Sequence, residues 1–332
     1  MVGCGIFGSI HAKTYSEYEK AELVAVCDID EKRARETGEK FSASTYTTDF
    51  KEIAINPDID AVSIATPDFA HLEPVLTMLE VGKHVLVEKP MATKADDARK
   101  MIKTAKEKGL SLMTDFHNRF NPMFLQTKEA IDAGEIGKPV MAYCRASNPS
   151  YVPFKMLSWS GKSGPHWFLF PHAVDIIRWL IGEEPREVYA TGSRKYLKEK
   201  GVDAYDAIQA IVKFDEAFAT FETAWILPEG SPSVIDFIVN IVGTEGKIGV
   251  DVANVGLNIS GEKFSYPFYI GQQDAHGRTI GFFRLPIMHF VDRVLDGAEM
   301  VIKPEDGFIA TAVIEAMEKS MASGQPEKVE EL

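Results

Sequence analysis

Cysteine is scarce in this chain: Cys4, Cys27 and Cys144 are the only three. No pair of them stands at C-x-x-C or at Cys/His metal spacing, so neither a disulfide framework nor a structural metal site is expected. The thiols read as reduced core residues, which favours the cytoplasm. Positive charge is short as well, 36 Lys and Arg against 49 Asp and Glu, for a net charge of −13. Such a surface repels phosphate backbones and anionic lipid, which argues against nucleic acid or a membrane surface as partner but leaves space for a local pocket for a small anion. No apolar run reaches the roughly 20 residues of a membrane span, and no secretory leader precedes the first motif. Internal repeats and low-complexity segments are also absent. What remains is an ordinary globular composition, 45% hydrophobic over 332 residues, long enough for two domains that each bury a core.

One further thing is missing. The chain opens "MVGCGIFGSIH", in which Gly3, Gly5 and Gly8 form G-x-G-x-x-G, a motif that belongs between a strand and a helix. Only Met1 and Val2 stand before it, so the expectation is that a few native N-terminal residues are missing or that the start was assigned late. Glycines allow the backbone to approach a diphosphate, and the helix after them offers free N–H groups. Asp28, 20 residues after Gly8, closes the next apolar run "AELVAVCDID". A carboxylate there accepts hydrogen bonds from the adenosine ribose and repels a 2′-phosphate, which points to NAD rather than NADP.

From there helical and strand-like runs alternate through "DIDAVSIATP", "KHVLVEKP" and "LSLMTDF". That alternation predicts a doubly wound parallel sheet with its ligand crevice at the carboxyl ends of the strands. After about Asn121 the pattern turns to "VMAYCRAS", "AIQAIVKF" and "FATFETAWI", strands of antiparallel type interrupted by the helical "PHAVDIIRWLIG". The expected architecture is α/β: a Rossmann domain over residues 1–120 and, over 121–332, an α+β domain with an open-faced, mostly antiparallel sheet for substrate binding and oligomerisation. An open sheet carrying those apolar runs calls for a second copy to cover it, as a homodimer or homotetramer.

Two side chains carry the candidate chemistry. Lys89 follows Glu88 at the end of "KHVLVEKP". Its position alone fits a salt bridge to Glu88, a snorkelled surface chain, or an ammonium that stabilises charge on a substrate oxygen. In "SGPHWFLFPHAVDIIRWL", Pro171 suits the first turn of a helix, which would put His172 near the N-terminus, neutral and able to accept a proton, with Asp175 one turn on. A helical histidine is also commonly structural. Arg119, Trp159, His166 and Trp167 are candidates for a pocket wall or for packing.

The ordered set "VGCGIFGSIHA", "VAVCDID", "DIDAVSIATPDFAH", "GKHVLVEKP", "DFHNRFNP", "SG…H..D" and "VGTEGKIGV" resembles the glucose–fructose oxidoreductase / inositol dehydrogenase family over nearly the whole chain. The resemblance implies an NAD(P)-dependent dehydrogenase acting on CH–OH groups of sugars, cyclitols and related polyols. It implies a catalytic Lys89 ahead of a cis bond to Pro90, and a substrate-facing His172. Phe7 and Gly8 would cover the pyrophosphate, with Thr66, Pro67, His71, Glu88 and Asn118 on the cofactor side and Arg119, His166 and Trp167 on the substrate side. The chain departs from the family pattern D-x-G-x-H, having Phe168 and Phe170 where the aspartate and glycine would stand, and it has Asp68 where asparagine is common. A non-catalytic NAD/sugar-sensing regulator and an NAD-dependent glycosidase are the alternatives.

Overall fold

The first strand exists as a stub. In the computed structural model, which describes residues 1–332, Val2 bridges in parallel to both Cys27 and Ile64. Its amide donates to the Ser63 carbonyl at 2.8 Å, and Gly3 N–H donates to Cys27 O at 2.7 Å. Met1 is buried, and its amino group donates to Ala25 O; burial pushes that amine down to about 6. Three residues therefore occupy the sheet's central position, and the next turn begins at once.

Around this stub the first unit builds its sheet. α1 (Ile6–Glu17) leads to β1 (Ala25–Cys27), α2 (Glu31–Phe41) to β2 (Thr45–Thr47), and α3 (Phe50–Ile55) to β3 (Ala61–Ile64). α4 (Leu72–Glu80), β4 (His84–Glu88), α5 (Ala95–Lys108) and β5 (Leu112–Asp115) follow. All pairings are parallel, in the order β2, β1, stub, β3, β4, β5, with the chain reversing direction of growth at the stub. That reversal opens the crevice of a doubly wound sheet next to the glycine turn. β3, β4 and β5 are almost wholly buried, with apolar residues through their middles and polar ones such as Glu88 and Asp115 at their carboxyl ends, as suits strands covered on both faces.

The second unit begins with α6 (Pro122–Asp132) and β6 (Pro139–Ser147), then α7 (Pro165–Ile181), β7 (Glu187–Ser193) and a short α8 (Tyr196–Glu199). β8 (Ala207–Lys213), β9 (Phe218–Ala224), β10 (Asp236–Gly243) and β11 (Lys247–Asp251) complete the main strands. Two small hairpins follow, β12 (Ile259–Ser260) with β13 (Phe264–Ser265) and β14 (Gln273–Ala275) with β15 (Arg278–Ile280). α9 (Leu285–Asp296), α10 (Pro304–Ser323) and β16 (Glu327–Lys328) end the chain. The large sheet runs β11-β10-β6-β9-β8-β7-β16, antiparallel except for β6 with β9. Burial alternates strictly along β8 and β9, so one face lies on α7 and the other does not. The uncovered face carries Tyr189 beside Ile211 and Met141 beside Phe218, each 39–46% exposed.

The two units are not divided by one cut near residue 120. Residues 281–311 cluster with Met1–His117, while Asn118–Ile280 and Ala312–Glu331 form the other unit. α9, which the sequence reading leaves in the C-terminal domain, thus belongs to the nucleotide-type unit.

Candidate functional site

The glycine turn is shaped for a group that needs backbone donors. Gly3 has φ +93°, and a Cβ there would run into the Ala65 carbonyl. A Cβ on Gly8 would overlap the Gly3 carbonyl oxygen, so α1 can lie this close to the stub only with hydrogen at that position. A Cβ on Gly5, by contrast, would meet nothing. Gly5 is also the N-cap of α1, and no side chain caps the helix. The first-turn N–H groups beside Gly5 thus have open space before them, the arrangement that holds a phosphate.

Asp28 stands at the end of β1. Cys4 N–H donates to its Oδ2 at 2.8 Å and Asp30 N–H to its Oδ1 at 3.0 Å, with Arg33 Nη1 3.5 Å from Oδ2. These bonds pin the carboxylate to the glycine turn and leave lone pairs for a ribose.

Lys89 is 8% exposed, so the snorkelled reading is excluded. Its bond to Pro90 is cis, and its own N–H donates to Glu88 Oε2 at 3.2 Å. Burial lowers the ammonium's pKa, opposed by the charges of Glu88, Asp68 and Asp115. His71 braces the same turn: Nδ1 lies 2.8 Å from Pro90 O and Nε2 3.0 Å from Thr66 O. Thr66 hydroxyl in turn donates to Ala70 O. Both ring nitrogens of His71 are therefore engaged with the backbone, and the histidine ties the loop of Thr66 and Pro67 to the lysine turn. Phe7 is half-buried, stacked on His117 at 5.7 Å and tilted against Phe283. Burial pushes the His117 imidazole down to about 3, so it is neutral.

Behind the lysine turn lies a group that motif reading passes over. The register of β4 and β5 makes Glu88 and Asp115 direct neighbours. His11, on the inner side of α1, reaches both, with Nε2 3.1 Å from Glu88 Oε1 and 3.3 Å from Asp115 Oδ2. Its Nδ1 meets Ser63 Oγ at 3.0 Å, and Ser63 Oγ lies 2.5 Å from the Tyr15 hydroxyl. His11, Glu88 and Asp115 also have the spacing of a metal-ligand set, their ligand atoms all within 4.8 Å of one another. A metal would have to displace the His11 proton that lies between the two carboxylates. The only sequence sign was His11 itself, one turn beyond Gly8 on a helix face that must meet the sheet.

In the second unit the expectation for His172 needs correction. α7 starts at Pro165, with Gly164 as N-cap, and Pro171 lies inside the helix. His172 is therefore two turns in, beyond the reach of the N-terminal dipole, and half-buried. The helix starts early because Pro165 already supplies the fixed φ and missing donor that suit a first turn. Asp175, one turn on, is taken by Arg119, whose Nη2 donates to Oδ1 at 2.6 Å and whose Nε contacts both oxygens, all fully buried. That fork joins the segment before α6 to α7 and fixes the helix that carries His172. Asn118, likewise buried, sits at the start of this segment, with Asn121 N–H donating to its carbonyl. His166 Nε2 and Trp167 Nε1 both meet Glu318 Oε1, at 2.8 and 3.0 Å. Although burial works the other way, those hydrogen bonds hold the Glu318 carboxyl below its ordinary range. Phe168, at the position of the family's aspartate, packs edge-on against Trp159 and Trp225. Phe170 packs against Phe221 in the core. An aspartate at either place would be a charge among aromatic rings.

Comparison with known proteins agrees with this geometry. Residues 1–116 match an oxidoreductase family described as an NAD-binding Rossmann fold, and residues 124–249 match the GFO/IDH/MocA C-terminal domain. The chain is similar to a myo-inositol 2-dehydrogenase of Thermotoga maritima, 28% identical across 100% of this chain and 98% of the relative. It is also similar to a 2,7-anhydro-N-acetylneuraminate hydratase of Mediterraneibacter gnavus, 30% identical over 92% of this chain and 79% of the relative. Among solved structures, a scyllo-inositol dehydrogenase from Lactobacillus casei with NAD(H) and scyllo-inositol aligns with TM-score 0.83, covering 99% of this chain and 97% of that one. At 21% identity that likeness speaks for the fold.

Proposed function

The chain belongs to the GFO/IDH/MocA family of NAD-binding oxidoreductases, and from that premise we propose that it moves hydride between NAD and a hydroxyl or carbonyl carbon of a cyclitol, sugar or related polyol. The observation that carries this reading is the first unit's crevice: an uncapped helix end at Gly5, the pinned Asp28 and the buried Lys89 all belong to the carboxyl edge of one parallel sheet. When bound, the nicotinamide supplies the hydride acceptor or donor. Gly3, Gly5 and Gly8 would let the α1 N–H groups hold a pyrophosphate, with Phe7 beside them. Asp28 accepts from the ribose hydroxyls and disfavours a 2′-phosphate, which supports NAD over NADP. Lys89 donates to the substrate oxygen and stabilises the charge that develops there. His172 takes up or returns the hydroxyl proton, without the aspartate that many relatives place four residues earlier.

The domains are assigned accordingly: a nucleotide domain built on Met1–His117 with residues 281–311, and a substrate and oligomerisation domain in Asn118–Ile280 with Ala312–Glu331. The apolar stripe of Tyr189, Ile211, Met141 and Phe218 supports a second copy of this chain as partner. No helix is long and apolar enough to cross a membrane. Three buried free cysteines support the cytoplasm as location.

The test is a screen of polyols, cyclitols and sugar acids, following nicotinamide absorbance with NAD and with NADP. Reduction of NAD by a polyol is expected, and no reduction across the screen would sink the reading. A second reading is redox-neutral turnover, favoured by the hydratase relative and by Phe168 in the aspartate position. It predicts product release while absorbance stays level.

A further inference from the structure

Two carboxylates at the ends of neighbouring strands are a poor pair. Glu88 and Asp115 face each other across the β4–β5 register, both buried, where like charges repel strongly. The chain places a third buried group between them, His11 on α1, within hydrogen-bond distance of each. Lys89 follows Glu88 directly and interacts electrostatically with both carboxylates.

We propose that His11 and Asp115 are positioning residues that work as a charge-balancing pair beneath Lys89, holding it as an ammonium in the resting site. The cluster supplies negative charge that opposes the effect of burial on Lys89. Glu88 and Asp115 carry two negative charges and His11 one positive, which leaves a single negative charge to match Lys89. Burial opposes a charged His11, yet hydrogen bonds to Asp115 and Glu88 lift its imidazole to about 9. Burial also raises the Asp115 carboxyl to about 6, still ionised at neutral pH. Of the other groups facing the cluster, two are neutral and a third, Asp68, adds a carboxylate on the side of Lys89 that is the same in wild type and variants. The half-buried Tyr15 is raised far above its ordinary range and stays a neutral hydroxyl on Ser63, and the His117 imidazole after β5 is neutral. Asp68, in the turn after β3, adds attraction for Lys89.

Removing one charge unbalances the set, and removing both restores it. Asp115→Asn leaves two cations, His11 and Lys89, over one carboxylate. Asp115→Asn combined with His11→Gln removes one negative and one positive charge, so the net charge that Lys89 faces returns to its wild-type value. His11→Gln alone adds negative charge or lets Asp115 take up a proton, and neither weakens the ammonium. The proposal rests on the assignment of Lys89 as the substrate-facing cation, but the charge on Lys89 can be read without any substrate.

The experiment is a pH titration of the Lys89 Cε resonance in the full chain carrying isotope-labelled lysine, the signal assigned with Lys89→Arg. In Asp115→Asn the midpoint is expected to fall by about one pH unit or more, the size of effect that loss of a neighbouring opposite charge exerts. Adding His11→Gln should return it to near the wild-type value, and His11→Gln alone should leave it level or higher. An unmoved midpoint in Asp115→Asn, a double variant as low as the single one, or a fall in His11→Gln alone would each overturn the proposal. Should Asp115→Asn not fold, His11→Gln still tests the proposal, because loss of a nearby imidazolium must not lower the lysine midpoint, and a fall overturns the charge balance. A failed substrate screen with this titration as expected would count against the assigned function and leave the charge balance standing.

Discussion

Lys89 and His11 show what a residue's neighbours in sequence reveal and conceal. Glu88, Lys89 and Pro90 announce themselves as a motif at a strand end. The partners of His11 are brought to it only by the pairing of β4 with β5, with Glu88 lying 77 residues away. His172 was legible as a candidate, but its place in α7 was misread because Pro171 satisfies the same rule for a first turn as Pro165 does. The His11 cluster predicts a pH signature at this scale. A cation whose pKa is raised from 6.5 to about 9 on folding contributes stability that is full below 6.5 and is lost as pH rises through about 9. Thermal unfolding should therefore show the wild type losing more stability between pH 6.5 and 9 than His11→Gln does. Equal losses in the two proteins would mean that His11 is not charged in the folded state.

Elements came through the sequence well where periodicity was strong. The parallel strands β1, β3, β4 and β5 and the antiparallel runs of β8 and β9 follow their apolar patterns directly, whereas the short, exposed β2 has none to follow. The first strand did not, because three residues contain no pattern; they form a strand only through bonds to Ala25, Cys27 and Ser63 supplied from elsewhere. The allegiance of α9 was equally hidden, since it depends on which unit the returning chain meets. The turn from the stub to α1 yields a prediction of its own. Gly8→Ala puts a Cβ on the Gly3 carbonyl, so the helix must move away from the turn. Overpacking of this sort costs about 1–3 kcal/mol, enough to weaken NAD by roughly tenfold or more when the displaced groups are the phosphate donors. Calorimetric titration of NAD into the variant checks this, with circular dichroism to show that the rest of the fold persists. Wild-type affinity would mean that the glycine turn does not hold the cofactor.

At the scale of the whole molecule, the family assignment joins a nucleotide unit to a sheet with an uncovered apolar face. Such a face is seldom left in water, so light scattering at micromolar concentration is expected to give a dimer or tetramer. A clean monomer would require another explanation for Tyr189, Ile211, Met141 and Phe218. The proposed function turns on hydride transfer with the aid of Lys89. Single-turnover absorbance of the NAD-bound protein, mixed with a substrate found by the polyol screen, tests it most directly when wild type is compared with Lys89→Met. Methionine keeps much of the bulk and removes the donor. NAD affinity should stay within a few-fold, and hydride transfer should slow by about 10²–10³, the usual loss for one preorganised donor to a developing oxyanion. Equal rates in the two proteins would contradict the account.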